Sequence, residues 1–374
     1  MMVFRTLLAF FILTLLCAGN VLAEAAPPPP AATLRIGVIQ SLTGIAAEDG
    51  KTTLQALELA AEEINKSRNV QVQLLVEDDA TDPVKSVSAY KKLRGEKVQA
   101  IIGPTWSFTV NAVLPFAAQD KMILVNTSTL PECLAFESAA GFLYSTAISV
   151  NEHANAFVRY LKHHGVKSAV LFYTSNSWGE AQRIAYTKVL REHGVTILKE
   201  LQSTNFDISD WRALLPQVKA LNADVWLLLL NKTDLETVIR RGREIKTSSR
   251  FYASYHVGDL LRLASDKSFL EDVCYSCPAN QLTTELEFAQ KFRSRYEEDP
   301  KVFADSSYDA LFLLHHAFAL SNEKGMTLKE ALESSEMRGT AGNYRFSKDS
   351  SFSTGKVDLL CVKHGNAAAQ RAPE

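Results

Sequence analysis

The apolar residues of this chain fall into short blocks with two kinds of spacing. The first block, Leu34–Ile39, is almost continuously apolar and predicts a buried β-strand. After it, Leu54, Leu57, Ala61 and Ile64 recur every three or four residues and predict one face of a helix. Because strand and helix patterns alternate in this way along the chain, we expect parallel sheets flanked by helices.

The alternation forms two successive sets, one on each side of residue 145. Further strands are predicted over residues 70–76, 98–102, 122–125, 169–173, 195–199, 225–230 and 251–254, and further helices over 84–94, 107–117, 151–163, 180–193, 208–221 and 234–246. Two sets imply two similar lobes of the α/β class. Ligands of open parallel sheets bind beyond the carboxyl ends of the strands, so the loops there are the expected place for a functional site.

Length and charge agree with two lobes and argue against one class of partner. The 374 residues are 47% hydrophobic and 22% charged, which is enough for two cores. Lys and Arg (40) nearly balance Asp and Glu (42), and the longest basic cluster is the short run Arg240, Arg241 and Arg243. Nucleic acid is therefore not an expected partner.

The first residues have the pattern of a cleaved export signal. Arg5 precedes an apolar run from Leu7 to Cys17, and the sequence Val21-Leu22-Ala23 provides a cleavage site. The run is shorter than the roughly 20 residues that cross a bilayer. We expect a signal peptide over residues 1–23, a Pro-rich tether over 24–33 and a protein released into the periplasm; lipid attachment at Cys17 is the alternative. Residues 366–374 are expected to be a disordered tail.

Four cysteines remain after the signal peptide, in a compartment that permits disulfides. Cys133, Cys274, Cys277 and Cys361 allow three full pairings. Cys274 and Cys277 are three residues apart on a predicted strand and so point to opposite faces. Packed thiols, or a bridge to Cys361, are the expected arrangement.

Three loops that follow predicted strands carry candidate binding residues. In the loop over residues 103–109, Ser107 and Phe108 stand at a helix start, where free amides and the helix dipole attract an anion; alternatively, Ser107 only caps its own helix. In the loop over 126–132, Ser128 and Thr129 supply hydroxyl groups at the same sheet edge. In the loop over 174–180, Trp178 either packs on its own lobe or closes over a ligand.

Catalytic motifs are missing from the sequence. It contains no nucleophile elbow, phosphate-binding loop or dinucleotide-binding glycine motif. The pairs His163-His164 and His315-His316 are adjacent in sequence and not spaced to chelate a metal together. We therefore expect a protein that is not an enzyme and has neither a cofactor nor a metal site.

In combination, these loops resemble the type I periplasmic binding proteins of the leucine, isoleucine and valine class. The resemblance spans Leu34 to Val362, and its marks are Arg35-Ile36-Gly37-Val38, Leu42-Thr43-Gly44, Glu77-Asp78-Asp79-Ala80-Thr81-Asp82-Pro83, Ile102-Gly103-Pro104, Trp178-Gly179-Glu180 and Tyr308-Asp309-Ala310. It implies two Rossmann-like lobes with parallel central sheets, joined by a hinge that the chain crosses three times. The first lobe then combines residues 34–145 with 278–340, and the second combines 146–277 with 341–365.

The resemblance also implies roles for individual residues. Ser107, Ser128 and Thr129 match the positions that hold a ligand carboxylate from the first lobe. Trp178 matches an aromatic residue that closes from the second lobe, and Phe108 lies beside the carboxylate position.

The sequence departs from the family at the positions that bind an amine. Tyr255 stands where the family has an acidic residue, Asn231 replaces an aromatic residue, and Asp49 stands where an aromatic residue often flanks the ligand side chain. A tyrosine cannot neutralise a buried ammonium group as a carboxylate does. Either Asp49 or another acid takes over this role, or the ligand has no amine.

The expected function is that of the substrate-binding component of an ABC importer. A monomer would bind a small carboxylate, either a branched-chain amino acid or a related aliphatic or aromatic acid, between its lobes and deliver it to permease subunits in the inner membrane. The alternative is a sensing module of the same fold that reports to a membrane receptor or kinase.

Overall fold

The computed structural model describes residues 32–66, 70–128, 141–203, 211–278, 285–346 and 357–369. The predicted signal peptide, residues 24–31 of the predicted tether, Thr129, Cys133 and the end of the chain from residue 370 onward lie outside the described residues. Among the helices that the structure describes, none combines the length and the apolar character needed to cross a bilayer.

The first sheet has five strands in the order β2-β1-β3-β4-β5. These strands are β1 (Ala32–Gln40), β2 (Val70–Asp78), β3 (Ala100–Ile102), β4 (Ile123–Asn126) and β5 (Leu143–Ser145). β3 pairs in parallel with both β1 and β4, and β4 pairs in parallel with β5. The carboxyl ends of these strands therefore meet at one edge of the sheet.

The second sheet repeats this order and adds two strands. Its members, in chain order, are β6 (Ser168–Thr174), β7 (Thr196–Ser203), β8 (Val225–Leu229), β9 (Arg250–Ala253), β10 (Cys274–Pro278), β13 (Val357–Lys363) and β14 (Asn366–Ala369). The sheet order is β14-β13-β10-β9-β8-β6-β7, so the first five strands have the same arrangement as in the first sheet. β6 to β10 pair in parallel, whereas β13 and β14 join antiparallel. A separate short ribbon pairs β11 (Glu336–Arg338) with β12 (Asn343–Arg345).

Helices cover both sheets. They are α1 (Ala47–Asn65), α2 (Pro83–Gly95), α3 (Ser107–Asp120), α4 (Val150–His164), α5 (Ser177–Glu192), α6 (Leu215–Ala220), α7 (Lys232–Glu244), α8 (Val257–Leu263), α9 (Glu285–Tyr296), α10 (Ala304–Lys324) and α11 (Leu328–Ser334). Each sheet has a hydrophobic core on each of its two faces, which explains why its central strands have nearly continuous apolar sequences. The predicted α/β fold with two parallel-sheet lobes is confirmed.

The chain passes between the two cores three times. It leaves the first sheet after β5, returns to build α9, α10 and α11 against the first core, and then rejoins the second sheet at β13. Tyr344 and Phe346 pack in the first core, although the predicted boundary assigned residues after 340 to the second lobe. The residue limits of the lobes remain a prediction.

Three sequence-based boundaries differ from the structure. The strand β1 already begins at Ala32, inside the predicted tether, and residues 366–369 form β14 where a disordered tail was expected. A turn at His364 and Gly365, both with positive φ, folds β14 back onto β13. Of the helix predicted over 208–221, residues 208–210 lie outside the described residues, and the described helix α6 begins at Leu215, next to Pro216, which lacks an amide hydrogen and is tolerated in a first helical turn.

A disulfide joins Cys274 of β10 to Cys361 of β13. The two residues lie directly opposite each other in the antiparallel pair. Cys277, three residues along β10, is buried and is not part of this bond. Of the arrangements that the sequence left open, the bridge to Cys361 is the one that forms.

Candidate functional site

A pocket of about 40 Å³ lies between the two sheets, where loops that follow strands of both meet. Its described walls are Trp106, Ser107, Phe108, Ser128, Asn176, Trp178, Asn231, Tyr255, His256 and Phe303. The structure thus brings together six of the eight residues singled out from the sequence. Asp49 does not line the pocket, and Thr129 lies outside the described residues.

The start of α3 forms one wall of the pocket. Trp106, in extended conformation, is the N-cap residue, and Ser107 is the first residue of the helix. Of the two alternatives that the sequence left open, capping of its own helix by Ser107 is therefore wrong. No side chain caps this helix. The Ser107 Oγ atom instead lies 2.7 Å from Ser177 Oγ, across the gap between the lobes. Amides at the start of a helix can bind an anion, and here no side-chain cap competes for them.

The path of the loop before α3 depends on Gly103. Its φ is +100°, and a Cβ atom there would lie 2.1 Å from the carbonyl oxygen of Ile39 in β1. A residue with a side chain is excluded by both the conformation and the close approach. This glycine keeps the loop next to β1 and so directs the start of α3 into the gap between the lobes.

The loop after β4 holds its position through Asn126 and Ser128. Asn126 Nδ2 donates to the carbonyl oxygens of Pro104 (2.6 Å) and Thr105 (2.9 Å), and its Oδ1 accepts from the Ser128 amide (2.8 Å). The Ser128 hydroxyl donates to the carbonyl of Thr105. Because both donors of Ser128 are used within the protein, its contribution in this state is to fix the loop beside Ser107.

Trp178 closes the pocket from the second lobe. It is the second residue of α5, whose N-cap residue Asn176 accepts a 2.8 Å hydrogen bond from the Gly179 amide. Only 9% of Trp178 is exposed, and its ring packs edge-on against Tyr255 and His256, with centroids 6.0 and 5.8 Å away. Its Nε1 atom is buried without an acceptor among the described residues. The indole thus brings an unpaired donor to the pocket wall.

The loop after β9 places an aromatic ring and an imidazole at the position of the expected acid. Burial, with the nearby charges of Asp259 and Asp49, raises the pKa of Tyr255, so its side chain is a neutral phenol. His256 Nδ1 lies 3.0 Å from Asp259 Oδ2, and Arg262 pairs with the other oxygen of that carboxylate. Burial opposes the ionisation of Asp259, but these partners hold the pKa of its carboxyl below the usual value. The carboxylate of Asp259 is therefore already paired.

The comparison with known families agrees with the fold. A family model described as periplasmic binding protein matches residues 33–365. The chain belongs to this family. Members are substrate-binding proteins rather than enzymes, and membership indicates a periplasmic protein that binds a small molecule.

Individual relatives of this binding protein are distant. A Leu/Ile/Val-binding protein of Rhizobium johnstonii is 28% identical over 215 residues, which are 56% of this chain and 58% of the relative. An ABC transporter substrate-binding protein from Sphaerobacter thermophilus superimposes with a TM-score of 0.80 at 21% identity, over 90% of this chain and 96% of that one. An ABC transporter solute-binding protein from R. palustris, solved in complex with benzoate, superimposes with a TM-score of 0.79 at 17% identity. The superposition covers 90% of this chain and 95% of that one.

Of the two residues at which the sequence departs from the family besides Tyr255, Asn231 lines the pocket and Asp49 does not. Burial and the negative charge of Asp259 raise the pKa of the Asp49 carboxyl, against the opposing charges of Lys232 and His256. Asn231 caps α7 by accepting a 3.0 Å hydrogen bond from the Asp234 amide, although it also lines the pocket. None of the described pocket-lining residues of this binding protein carries a carboxylate.

Four pocket residues were not identified from the sequence. Trp106, Asn176 and His256 are neighbours of residues that were, and a pocket built from loops could have been expected to include them. Phe303 has no such cue. It precedes α10 with a φ of 69°, and its segment is brought to the pocket by packing against α1, where the Lys301 amide donates to Thr52 Oγ1.

Proposed function

We propose that this binding protein is the substrate-binding component of an ABC importer and that it holds a small aliphatic or aromatic carboxylate lacking an α-ammonium group. The observation that carries this proposal is the uncapped start of α3, where Ser107 faces the second lobe. A carboxylate bound there would accept from the first amides of the helix and from the Ser107 hydroxyl. Closure of the lobes around the ligand would produce the form that permease subunits recognise.

The other walls of the pocket support a ligand without an amine. The rings of Trp106, Phe108, Trp178, Tyr255 and Phe303 provide apolar surface. A buried ammonium group needs an ionic partner, and the wall that would supply one carries a neutral phenol and a carboxylate already paired with His256 and Arg262. The relative from R. johnstonii is named for leucine, isoleucine and valine, whereas the neighbour from R. palustris was solved with benzoate. The pocket chemistry favours a ligand of the second kind.

Calorimetry with benzoate, 3-phenylpropanoate and leucine tests the proposal. We expect the two acids to bind at least ten times more tightly than leucine. A tenfold difference in Kd corresponds to a difference of about 1.4 kcal/mol in the free energy of binding. Ser107→Ala should weaken the binding of the acids by about 1 to 3 kcal/mol, because a charged acceptor loses a buried donor. Ser88→Ala, which changes an exposed serine of α2, is the matched control.

Two results would contradict the proposal. Unchanged affinity in Ser107→Ala would remove the start of α3 from the site. Leucine binding as tight as that of the acids would show that an ammonium group is accommodated, and Asp49→Asn would then be the variant expected to abolish it.

A further inference from the structure

A second and larger cavity lies directly beside the pocket. This cavity, here called the chamber, measures about 300 Å³. The pocket alone has room for roughly three water molecules at 10 to 15 Å³ each, which is less space than any amino acid occupies. The volume of the chamber lies at the lower end of the range for small-molecule sites. Its lining combines apolar side chains, among them Ile148, Leu261, Val302 and Leu360, with the charged residues Asp259, Arg262, Lys267, Lys301 and Asp305.

Two aromatic rings separate the pocket from the chamber. Tyr255 and Phe303 line both cavities, and their rings stand edge to face at a centroid distance of 6.0 Å and an angle of 70°. Tyr255 comes from the second lobe and Phe303 from the segment before α10, so the partition is formed by residues that meet across the gap between the lobes. Any change in lobe separation changes this partition.

The partition is held by ring packing. Tyr255 contacts Trp178, His153 and Phe303, each at a centroid distance of 6.0 Å. Aromatic contacts are individually weak, so rotation of the Tyr255 ring exchanges one set of packing contacts for another at a small cost.

We propose that the pocket and the chamber are two ends of one site, which takes an elongated carboxylate. The carboxylate lies at the start of α3, and an apolar body passes between Tyr255 and Phe303 into the chamber. This inference rests on the proposed function, because the carboxylate anchor is the same. It also assigns Tyr255 a role in specificity. Tyr255 stands at the position of the family's amine-binding acid, and its ring borders the chamber, so a ligand that moves this ring gains access to the chamber.

A homologous series of acids tests this inference. The probes are benzoate, phenylacetate, 3-phenylpropanoate, 4-phenylbutanoate and 5-phenylpentanoate, measured by calorimetry with the intact protein. Each added methylene should lower Kd by about fourfold once the ring enters the chamber, since burying one methylene contributes about that factor. The ratio of Kd for benzoate to Kd for 5-phenylpentanoate should therefore exceed about 50.

Gly258 offers a way to fill the chamber. It lies on α8 and lines the chamber, and a Cβ atom added there meets nothing within 4 Å. Gly258→Leu should bring the ratio of the two Kd values down toward one. Gly95→Leu is the matched control, because Gly95 ends α2 and also has nothing within 4 Å. Gly258→Val, with a smaller side chain, should give an intermediate ratio and serves if the leucine variant does not fold.

The outcomes separate the two proposals. If no acid of any length binds, both the carboxylate site and its extension are wrong. If benzoate binds but Kd does not fall with chain length, the extension is wrong and the carboxylate site stands. A ratio that stays high in both Gly258 variants would also overturn the extension, because the long acids would then occupy space elsewhere.

Discussion

Asn126 uses its whole side-chain amide to join the two loops that form the first-lobe wall of the pocket. Its nitrogen donates to two carbonyl groups of the loop before α3, and its oxygen accepts from the amide of Ser128. The residue is fully buried. It does not touch the pocket itself, so its contribution is to position Ser107 and Ser128 relative to each other.

Replacing Asn126 should therefore affect stability and binding together. Asn126→Ala leaves the Ser128 amide and the Pro104 carbonyl buried without partners, and we expect a loss of roughly 2 to 3 kcal/mol in the free energy of unfolding. The affinity for benzoate should also fall. Urea unfolding and calorimetry measure the two effects. Asn155→Ala, an exposed position on α4, should change stability by less than about 0.5 kcal/mol. Equal stability of both variants would contradict this role.

His153 is the residue from which we expect a clear dependence of stability on pH. It is buried on α4, with Nδ1 2.7 Å from Ser276 Oγ. Burial lowers the pKa of His153 to about 4, compared with about 6.5 in an unfolded chain. Between these values the unfolded state binds the proton and the folded state does not. Stability contributed by the neutral imidazole is therefore complete above about pH 6.5 and is lost as the pH falls toward 4.

The expected loss from His153 is about 2 kcal/mol between pH 8 and pH 5. Glutamine cannot gain a proton in this pH range. Between pH 8 and pH 5, the free energy of unfolding of His153→Gln should therefore fall by about 2 kcal/mol less than that of the wild type. Urea unfolding at a series of pH values measures the difference. His163→Gln, at an exposed position of the same helix, should retain the wild-type loss. The same acid loss in both variants would mean that another group is responsible.

At the level of elements, periodicity was sufficient to locate strands and helices but not to define all their ends. Strands such as β1, β6 and β8 are buried on both faces, so their apolar runs were unambiguous. Helix ends depend on single residues. The described helix α6 begins at Leu215, next to Pro216 and later than the apolar pattern indicated, and Trp106 takes the cap position of α3 although Ser107 has the side chain that usually does.

The site residues that could be predicted from the sequence are those that directly follow predicted strands. Ser107, Ser128 and Trp178 come directly after strands, where a parallel sheet collects its loops, and the sequence therefore indicated them. Phe303 could not be found in this way, because its place depends on how α10 packs against α1, far apart in sequence. The sequence also could not predict that the amide and hydroxyl of Ser128 both donate within the protein, because these hydrogen bonds depend on the geometry of Asn126 and its loop.

At the level of the whole molecule, the two sheets share one strand order and face each other across the pocket. Ser107 of the first lobe and Ser177 of the second are hydrogen-bonded directly, and about 40 Å³ remains between the walls. A ligand must therefore separate the lobes, or enter while they are apart, before they close on it. Contacts that exist only after closure control how long it stays.

Trp178 is the residue best placed to provide such contacts. Because the open first-lobe wall governs encounter, Trp178→Ala should leave the association rate nearly unchanged and accelerate the dissociation of 3-phenylpropanoate by roughly tenfold or more. Trp178→Phe keeps an apolar ring but removes the unpaired Nε1 donor, so it should show a smaller increase. Stopped-flow fluorescence gives both rates.

Small-angle scattering gives the matching structural measurement. The alanine variant should remain more open than the wild type at saturating ligand, since the difference in affinity that drives closure has shrunk. If Trp178→Ala dissociates at the wild-type rate and closes fully, the indole only packs on its own lobe. The second-lobe wall would then have to act through Tyr255 and His256, which approach the ligand from the loop after β9.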